Sequence, residues 1–212
     1  SKLIILDAQE KFSKQPLFED AWSSLYPGLI ERYGANEFGR VIAVSPSSRT
    51  LSTEFEDVSA DVANVIPPQH AGVIAHRAGV ADMTGWCPID PIDFRSTLQP
   101  DIHVIGDATI ASPMPKSAFS ANLQAKVCAM QIARALSGEA VEPTTLTNTC
   151  YSYISDRKAV SITGVYTNDG GSLHSVEGAG GLSPLNADPI VRENEALQAK
   201  TWFRTITKQT FG

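Results

Sequence analysis

The sequence has 212 residues, of which 42% are hydrophobic and 19% are charged, and its formal net charge at pH 7 is −6. This length and composition suit one large domain or two small ones with a buried core. Because the chain is acidic and has no basic run or basic–aromatic stripe, we expect no nucleic-acid partner. No apolar run approaches the roughly 18 residues needed to cross a bilayer, so we expect no membrane span.

The first third of the chain is predicted to mix helix and strand. Residues 2–6 form a continuous apolar run, which is typical of a strand buried on both faces in a parallel sheet. A helix is predicted over 17–33, although Pro27 must interrupt it. Three short strands of a β-meander are predicted next, over residues 40–45, 49–55 and 60–68. Because the chain opens inside a strand, we expect it to be a fragment or a processed chain.

The remaining elements are predicted from periodicity. The strongest helix covers 117–136, where Phe119, Leu123, Val127 and Met130 follow helical spacing and Gly138 comes after the end. The other predicted elements are a short helix over 69–79, a buried strand over 103–105, strands over 149–154 and 159–167, and a helix over 191–206.

The stretch "IHVIGDATIASPMPKSAFSAN" (102–122) is typical of the second half of a flavin site. Ligands of open α/β sheets bind beyond the ends of strands, and glycine at such an end lets a bulky cofactor approach the backbone. Gly106 and Asp107 occupy that position, and the carboxylate can accept hydrogen bonds from a ribityl or ribose hydroxyl. The alternative is that Asp107 only stabilises a turn.

The helix start that follows offers a second contact with a flavin. Free N–H groups and the positive dipole end of a helix favour negative charge, which a reduced flavin carries at its N1 and C2-carbonyl edge. Lys116 adds positive charge, and Ser117 begins the helix. An ordinary helix capped by Ser117 or Ser120 is the alternative, and both interpretations can hold together.

The three cysteines differ in their sequence context. Cys128 lies within the predicted helix and is expected to be a core residue. Cys87 in a loop and Cys150 at an apparent strand start are each either a redox thiol or a small buried hydrophobe. Their spacing matches no C-x-x-C pair, and the histidines add no ligand pattern, so we assign no metal.

Trp202 and Phe203 lie in the predicted terminal helix. They either anchor that helix to the core or form an aromatic wall over a cofactor.

Several segments together resemble the flavoprotein subunit of flavocytochrome c sulfide dehydrogenase. They are "HVIGDATIASPMPKSAFSANLQAK", "NVIPPQHAG", "GWCPID", "NTCYS" and the ending "WFRTITKQTFG". The resemblance implies an α/β fold like glutathione reductase, with a partial FAD/NAD(P)-binding fold and a C-terminal α+β interface domain. It divides the chain into the end of the second dinucleotide-binding lobe (1–67), a return to the FAD lobe (68–140) and the flavin-binding C-terminal domain (141–212).

The resemblance also implies a function. The family oxidises sulfide to sulfur and passes electrons through FAD to a c-type cytochrome subunit in the periplasm. By the same resemblance, Gly106 and Asp107 contact the ribityl–phosphate region of FAD, and the Lys116–Ser117 backbone faces the flavin. Cys150 forms one half of a redox-active disulfide, and Trp202 lies near the flavin.

The family pattern has parts that this sequence lacks. Its G-x-G-x-x-G turn, its covalent FAD-attachment cysteine and the partner of the redox disulfide are expected upstream of Ser1, so we expect this chain alone to be inactive. One alternative is a sulfide:quinone or NADH-linked relative on the same fold. Another is a non-catalytic folded fragment that self-associates through exposed apolar surface.

Overall fold

The computed structural model describes residues 1–169 and 171–212, and it begins with a small β-α-β unit. Strand β1 (Leu3–Leu6) pairs in parallel with β2 (Ile30–Tyr33), and helix α1 (Gln15–Leu25) connects them. The predicted helix over 17–33 is therefore wrong in its second half, because Pro27 and the positive-φ Gly28 end it and the chain turns into β2. The short helix α2 (Ala35–Phe38) follows.

Strand β1 is not buried on both faces as predicted. Leu3 and Ile4 are 55% and 42% exposed, because within the described residues β1 has β2 as its single neighbour and no second layer covers these side chains.

The meander is confirmed, but its third strand is displaced. Strands β3 (Val41–Ser45), β4 (Thr50–Thr53) and β5 (Asp57–Ser59) form an antiparallel sheet. The backbone N–H and the hydroxyl of Thr53 both donate to the Glu56 carbonyl at 2.8 Å. This tight turn starts the pairing at Asp57, so the prediction of a strand over 60–68 is wrong.

The middle of the chain is largely irregular. It contains helix α3 (Val73–Arg77), strand β6 (Cys87–Pro88), a 3-10 turn (Gly106–Ala108) and strand β7 (Thr109–Ile110), which pairs in parallel with β6. The short helix predicted over 69–79 is present as α3, whereas the buried strand predicted over 103–105 is wrong. His103 forms only an isolated bridge with Arg95, because the chain folds back on the preceding loop.

The C-terminal half carries the best-formed elements. Helix α4 (Ala118–Leu136) is followed by a nine-residue antiparallel hairpin of β8 (Thr145–Tyr153) and β9 (Ala159–Thr167). Strands β10 (His174–Ser175) and β11 (Gly181–Leu182) add to β9, and helix α5 (Pro189–Phe211) ends the chain. These helices and the two long strands confirm the predictions, with α5 longer at both ends and β8 beginning at Thr145 rather than at residue 149.

The β8–β9 sheet lies between α4 and α5. On one face, Leu146 and Tyr166 share a core cluster with Val127 and Cys128 of α4. On the other face, the Tyr153 hydroxyl donates to the Ala196 carbonyl of α5 at 2.9 Å. Because side chains alternate across a strand, α4 and α5 contact different sets of β8 side chains.

The fold is thus mixed α/β, and the resemblance to glutathione reductase remains a prediction. No helix of the described residues is both long and apolar enough to cross a membrane.

Candidate functional site

Two hollows lie at the start of α4. The first, here called the turn hollow, has a volume of about 170 Å³ and lies beside the 3-10 turn. The second, called the thiol hollow, has a volume of about 340 Å³ and opens between the start of α4, strand β8 and α5. The turn hollow is lined by residues that include Trp86, Gly106, Asp107, Thr109, Lys116, Ser120 and Gln124. The thiol hollow is lined by residues that include Ser117, Phe119, Cys150, Tyr151, Trp202 and Phe203.

Gly106 forms the turn that shapes the first hollow. Its φ of +73° is a conformation that glycine adopts without strain. Its N–H donates to the buried Gln124 side chain at 2.7 Å, and its carbonyl accepts from the Thr109 hydroxyl at 2.8 Å. The Asp107 carboxylate is exposed and makes no hydrogen bond within the described residues. It is therefore available to a ligand, which favours the binding interpretation over a turn-stabilising role.

Lys116 is held against the same turn by three contacts. Its ammonium donates to the carbonyls of Asp107 at 2.7 Å and Thr109 at 2.6 Å, and it lies 3.8 Å from the centroid of the Trp86 ring. Partial burial lowers the pKa of Lys116, opposed by the negative charge of Asp107. The cation is thus fixed at the wall of the turn hollow.

The start of α4 is capped and tied to β8. Ser117 is the N-cap, and its hydroxyl oxygen accepts from the Ser120 N–H at 3.1 Å. The same hydroxyl donates to the Asn148 side chain at 2.6 Å. The N–H groups of Ala118 and Phe119 have no acceptor within the described residues. Uncompensated donors at a helix start attract negative charge, as the sequence predicts.

Aromatic side chains form one wall of the thiol hollow. The Phe119 and Trp202 rings stack with centroids 5.7 Å apart and an angle of 14° between planes. Phe203 is 63% exposed although it points in the same helical direction as the buried Ala196 and Ala199. Trp202 therefore links α5 to α4, while Phe203 leaves an uncovered aromatic surface facing the hollow.

The structure separates the three cysteines, all of which are free thiols. Cys87 and Cys128 are buried in two different apolar clusters, which confirms the core role predicted for Cys128. Burial raises the pKa of both thiols. Cys150 is half-buried and lines the thiol hollow. It lies in the middle of β8 rather than at a strand start, because the strand begins at Thr145.

Three residues near the site carry no assignment from the sequence. Asn148 and Gln124 are almost fully buried and bond to the α4 start and to the Gly106 turn. Lys14, also buried, donates to the Cys150 carbonyl at 3.2 Å. The motif "NTCYS" includes Asn148, but only the fold shows which partner its amide meets. Within the described residues there is no group of three or more side chains suited to hold a metal ion.

Two family models match the chain. Residues 1–67 match "Sulfide dehydrogenase [flavocytochrome c] flavoprotein chain, central". Residues 142–211 match "Flavocytochrome c sulphide dehydrogenase, flavin-binding". The second match contains β8, with Asn148 and Cys150, and all of α5, with Trp202 and Phe203.

Proposed function

We propose that this chain, which belongs to the flavoprotein family of flavocytochrome c sulfide dehydrogenase, holds the flavin end of FAD and supplies Cys150 as a redox thiol. Family membership identifies the cofactor as FAD and the class of enzyme as oxidoreductase. One observation carries the finer proposal: the start of α4 lies between Asp107 and Lys116 on one side and Cys150 on the other.

The residues present fit such a cofactor. The two N–H groups at the start of α4 lack acceptors within the described residues, and the Asp107 carboxylate lacks a hydrogen-bond donor there. A flavin has a ring edge that accepts hydrogen bonds and a ribityl chain that donates them, so it complements both groups. The uncovered face of Phe203 adds a flat apolar contact.

Each residue then has a role in the proposal. FAD, when bound, supplies the acceptor for a two-electron oxidation. Asp107 accepts hydrogen bonds from the ribityl chain, and Gly106 lets that chain approach the backbone. The N–H groups of Ala118 and Phe119, together with the Lys116 ammonium, favour negative charge at the ring edge. Trp202 and Phe203 exclude water from one side of the hollow.

Cys150 supplies the sulfur chemistry in the proposal. Converting HS⁻ to zero-valent sulfur releases one proton and two electrons, and a thiol beside the electron acceptor can carry the sulfur atom during that change. The disulfide expected from the family resemblance would join Cys150 to a thiol other than Cys87 or Cys128. Those two are buried in separate clusters and do not line the thiol hollow.

The electrons are proposed to pass to a c-type cytochrome. The family name implies a cytochrome partner. Sulfide as the substrate and a periplasmic location are supported by the resemblance of the sequence to this family.

The flavin-binding part of the proposal is tested by titrating FAD into the purified chain and following flavin fluorescence and visible absorbance. We expect binding by wild type and weaker binding by Phe203→Ala. A wild-type chain that leaves both signals unchanged would refute FAD binding by this chain.

The redox role is tested with Cys150→Ser in the complete FAD-loaded enzyme, assayed by sulfide-dependent reduction of cytochrome c. We expect lost turnover with FAD retained, whereas Cys128→Ala should keep turnover and lose stability, on the order of 1 kcal/mol. Near-normal turnover in Cys150→Ser would exclude the thiol from the reaction.

A further inference from the structure

We infer that Asn148 is a positioning residue that sets the start of α4 at a fixed place relative to the Cys150 thiol. For its effect on the cofactor, the inference rests on the proposed function. For its effect on the thiol, it rests on the geometry of β8 and α4 alone.

The Asn148 side chain joins two elements that are far apart in sequence. Its Oδ1 atom accepts from the Ser117 hydroxyl at 2.6 Å and from the Ser120 hydroxyl at 3.2 Å. Asn148 and Ser120 are each 1% exposed, so bulk water has little access to the amide oxygen. A single amide oxygen therefore holds the N-cap residue and the first turn of α4 against the middle of β8.

The same strand carries the thiol. Asn148 and Cys150 are two positions apart, so they lie on one face of β8 and about 7 Å apart along it. The N-cap, bonded directly to Asn148, is thereby held within one strand repeat of Cys150. This arrangement fixes the N–H groups at the start of α4 and the Cys150 thiol relative to each other.

The tether is not required simply to keep the hairpin folded, because other contacts do that. The hairpin has nine registered residue pairs, and Leu146 packs fully buried in the core beside it. An apolar side chain in place of Asn148 would fill the same buried space without holding the two serines. The amide therefore serves the relative placement of α4 and β8.

A second asparagine provides a matched control. Asn168 is 0% exposed, accepts from the Thr144 N–H and donates to the Pro91 carbonyl at 2.7 Å. Like Asn148, it is buried and its side chain makes two hydrogen bonds, but it lines neither hollow and has no hydrogen bond to α4 within the described residues. Loss of either amide should lower stability to a similar extent, whereas only Asn148 should affect the thiol.

The charge of the tether can be changed while its geometry is kept. In Asn148→Asp, a carboxylate oxygen still accepts from both serine hydroxyls, but it adds a negative charge on the face of β8 that carries Cys150. That charge disfavours ionisation of the thiol and, with FAD bound, disfavours reduction of the flavin ring. In Asn148→Ala the tether is lost without a new charge, and the wall formed by Ser117 and Phe119 is released.

The test measures the rate of alkylation of Cys150 by iodoacetamide at neutral pH, by mass spectrometry, in folded chains without FAD. We expect Asn148→Ala to react several-fold faster than wild type, Asn148→Asp to react more slowly, and Asn168→Ala to match wild type. Ser120→Ala, which removes one of the two donors, should lie between wild type and Asn148→Ala. Folding of each variant is checked by circular dichroism.

A faster alkylation rate in Asn148→Ala and a slower one in Asn148→Asp is a result that a purely structural role would not give. Wild-type rates in both Asn148 variants would overturn the inference, as would equal acceleration in Asn168→Ala. If Asn148→Ala does not fold, Asn148→Asp and Ser120→Ala decide the matter through the same rates.

The cofactor arm uses FAD-loaded protein and measures the midpoint potential of the flavin. Asn148→Asp should lower that potential while FAD stays bound, and an unchanged potential would overturn the role of Asn148 toward the cofactor. Failure of the wild-type chain to bind FAD would refute the proposed function instead, and the alkylation rates would still decide the tether.

Discussion

Replacing Glu195 by alanine should release α5 from the sheet and thereby loosen one wall of the thiol hollow. The Glu195 carboxylate is buried in the interface between α5 and β9. It accepts from the Ser161 hydroxyl at 2.7 Å, from the Ser183 hydroxyl, and from the Arg192 guanidinium at 3.3 Å. This one side chain thus joins α5 to β9 and to the segment that follows β11, two turns before Trp202 on the same helix.

The expected loss of stability depends on which partners Arg192 keeps when the Glu195 carboxylate is removed. Removing one partner of a buried ion pair typically costs about 3–5 kcal/mol, because the other charge is left unpaired. Here Arg192 keeps two carbonyl acceptors, Pro184 at 2.6 Å and Leu185 at 3.2 Å. We therefore expect the lower end, about 3 kcal/mol for Glu195→Ala. Glu195→Gln keeps an acceptor for the serines and should lose about 1–2 kcal/mol.

The assay is urea unfolding followed by tryptophan fluorescence and by far-ultraviolet circular dichroism. Glu193→Ala is the matched control, because Glu193 lies on the same helix, is exposed, and has no hydrogen bond or ion pair within the described residues. Its substitution should change the free energy of unfolding by less than about 0.5 kcal/mol. If the free energies of unfolding of Glu195→Ala and Glu193→Ala differ by less than about 1 kcal/mol, the buried carboxylate does not anchor α5.

Three further predictions concern the turn and the thiols. Gly106→Ala and Gly138→Ala both place a side chain at a positive φ, +73° and +74°, and each should lower the free energy of unfolding in urea by about 1–2 kcal/mol. Only Gly106→Ala should also weaken FAD binding in a fluorescence titration. If both variants bind FAD with the same affinity, the proposed role of the turn is contradicted. Because burial raises the pKa of Cys87 and Cys128 above the ordinary 9.0, both thiols keep a proton that the unfolded chain loses. Their contribution to stability is complete below pH 9.0 and is lost as the pH rises through the folded-state pKa; the urea midpoint should fall in that range, and less in a Cys87→Ala/Cys128→Ala variant. Brief alkylation of the folded chain should modify Cys150 first. If peptide mapping finds Cys87 or Cys128 modified equally fast, those thiols are not protected by burial.

Local sequence signals account for the elements that were predicted well. Helix α4 is predictable because its apolar side chains follow one helical face, and Ser117, one of the two expected caps, is the N-cap. The hairpin strand over 159–167 was identified with the correct bounds because its β-branched residues favour an extended chain. Such signals operate over one or two turns and do not depend on the rest of the fold.

The failures lie where distant residues decide the local structure. Residues 103–105 have the composition of a buried strand, yet the irregular loop before them occupies the positions where a neighbouring strand would pair. The second half of the helix predicted over 17–33 is instead a strand, because β1 offers it a partner across the sheet. Neither partner can be read from the segment itself.

The candidate site shows the same division. A contiguous motif predicts Gly106, Asp107, Lys116 and Ser117; the structure brings the first three together around one turn, and Ser117 follows Lys116 at the start of α4. The side chains that hold the motif in place were not assigned, since Gln124 meets Gly106 across 18 residues of sequence and Asn148 meets Ser117 across 31. Polar residues within a helix or strand carry no local sign of the partner they will meet.

The distribution of buried side chains along α4 connects the fold with its proposed use. The first two turns of the helix bury Ser120 and Gln124, whereas the following turns bury Val127 and Cys128 together with Gln131, which bonds to the Glu142 backbone. A buried polar side chain adds little to stability beyond what an apolar one would give, since its hydrogen bonds mainly offset its desolvation. Ser120 and Gln124 instead fix the position of α4, because Ser120 bonds to Asn148 on β8 and Gln124 bonds to the Gly106 turn. Val127 and Cys128 thus hold α4 in the core, and the buried polar side chains of its first two turns fix the two hollows relative to each other.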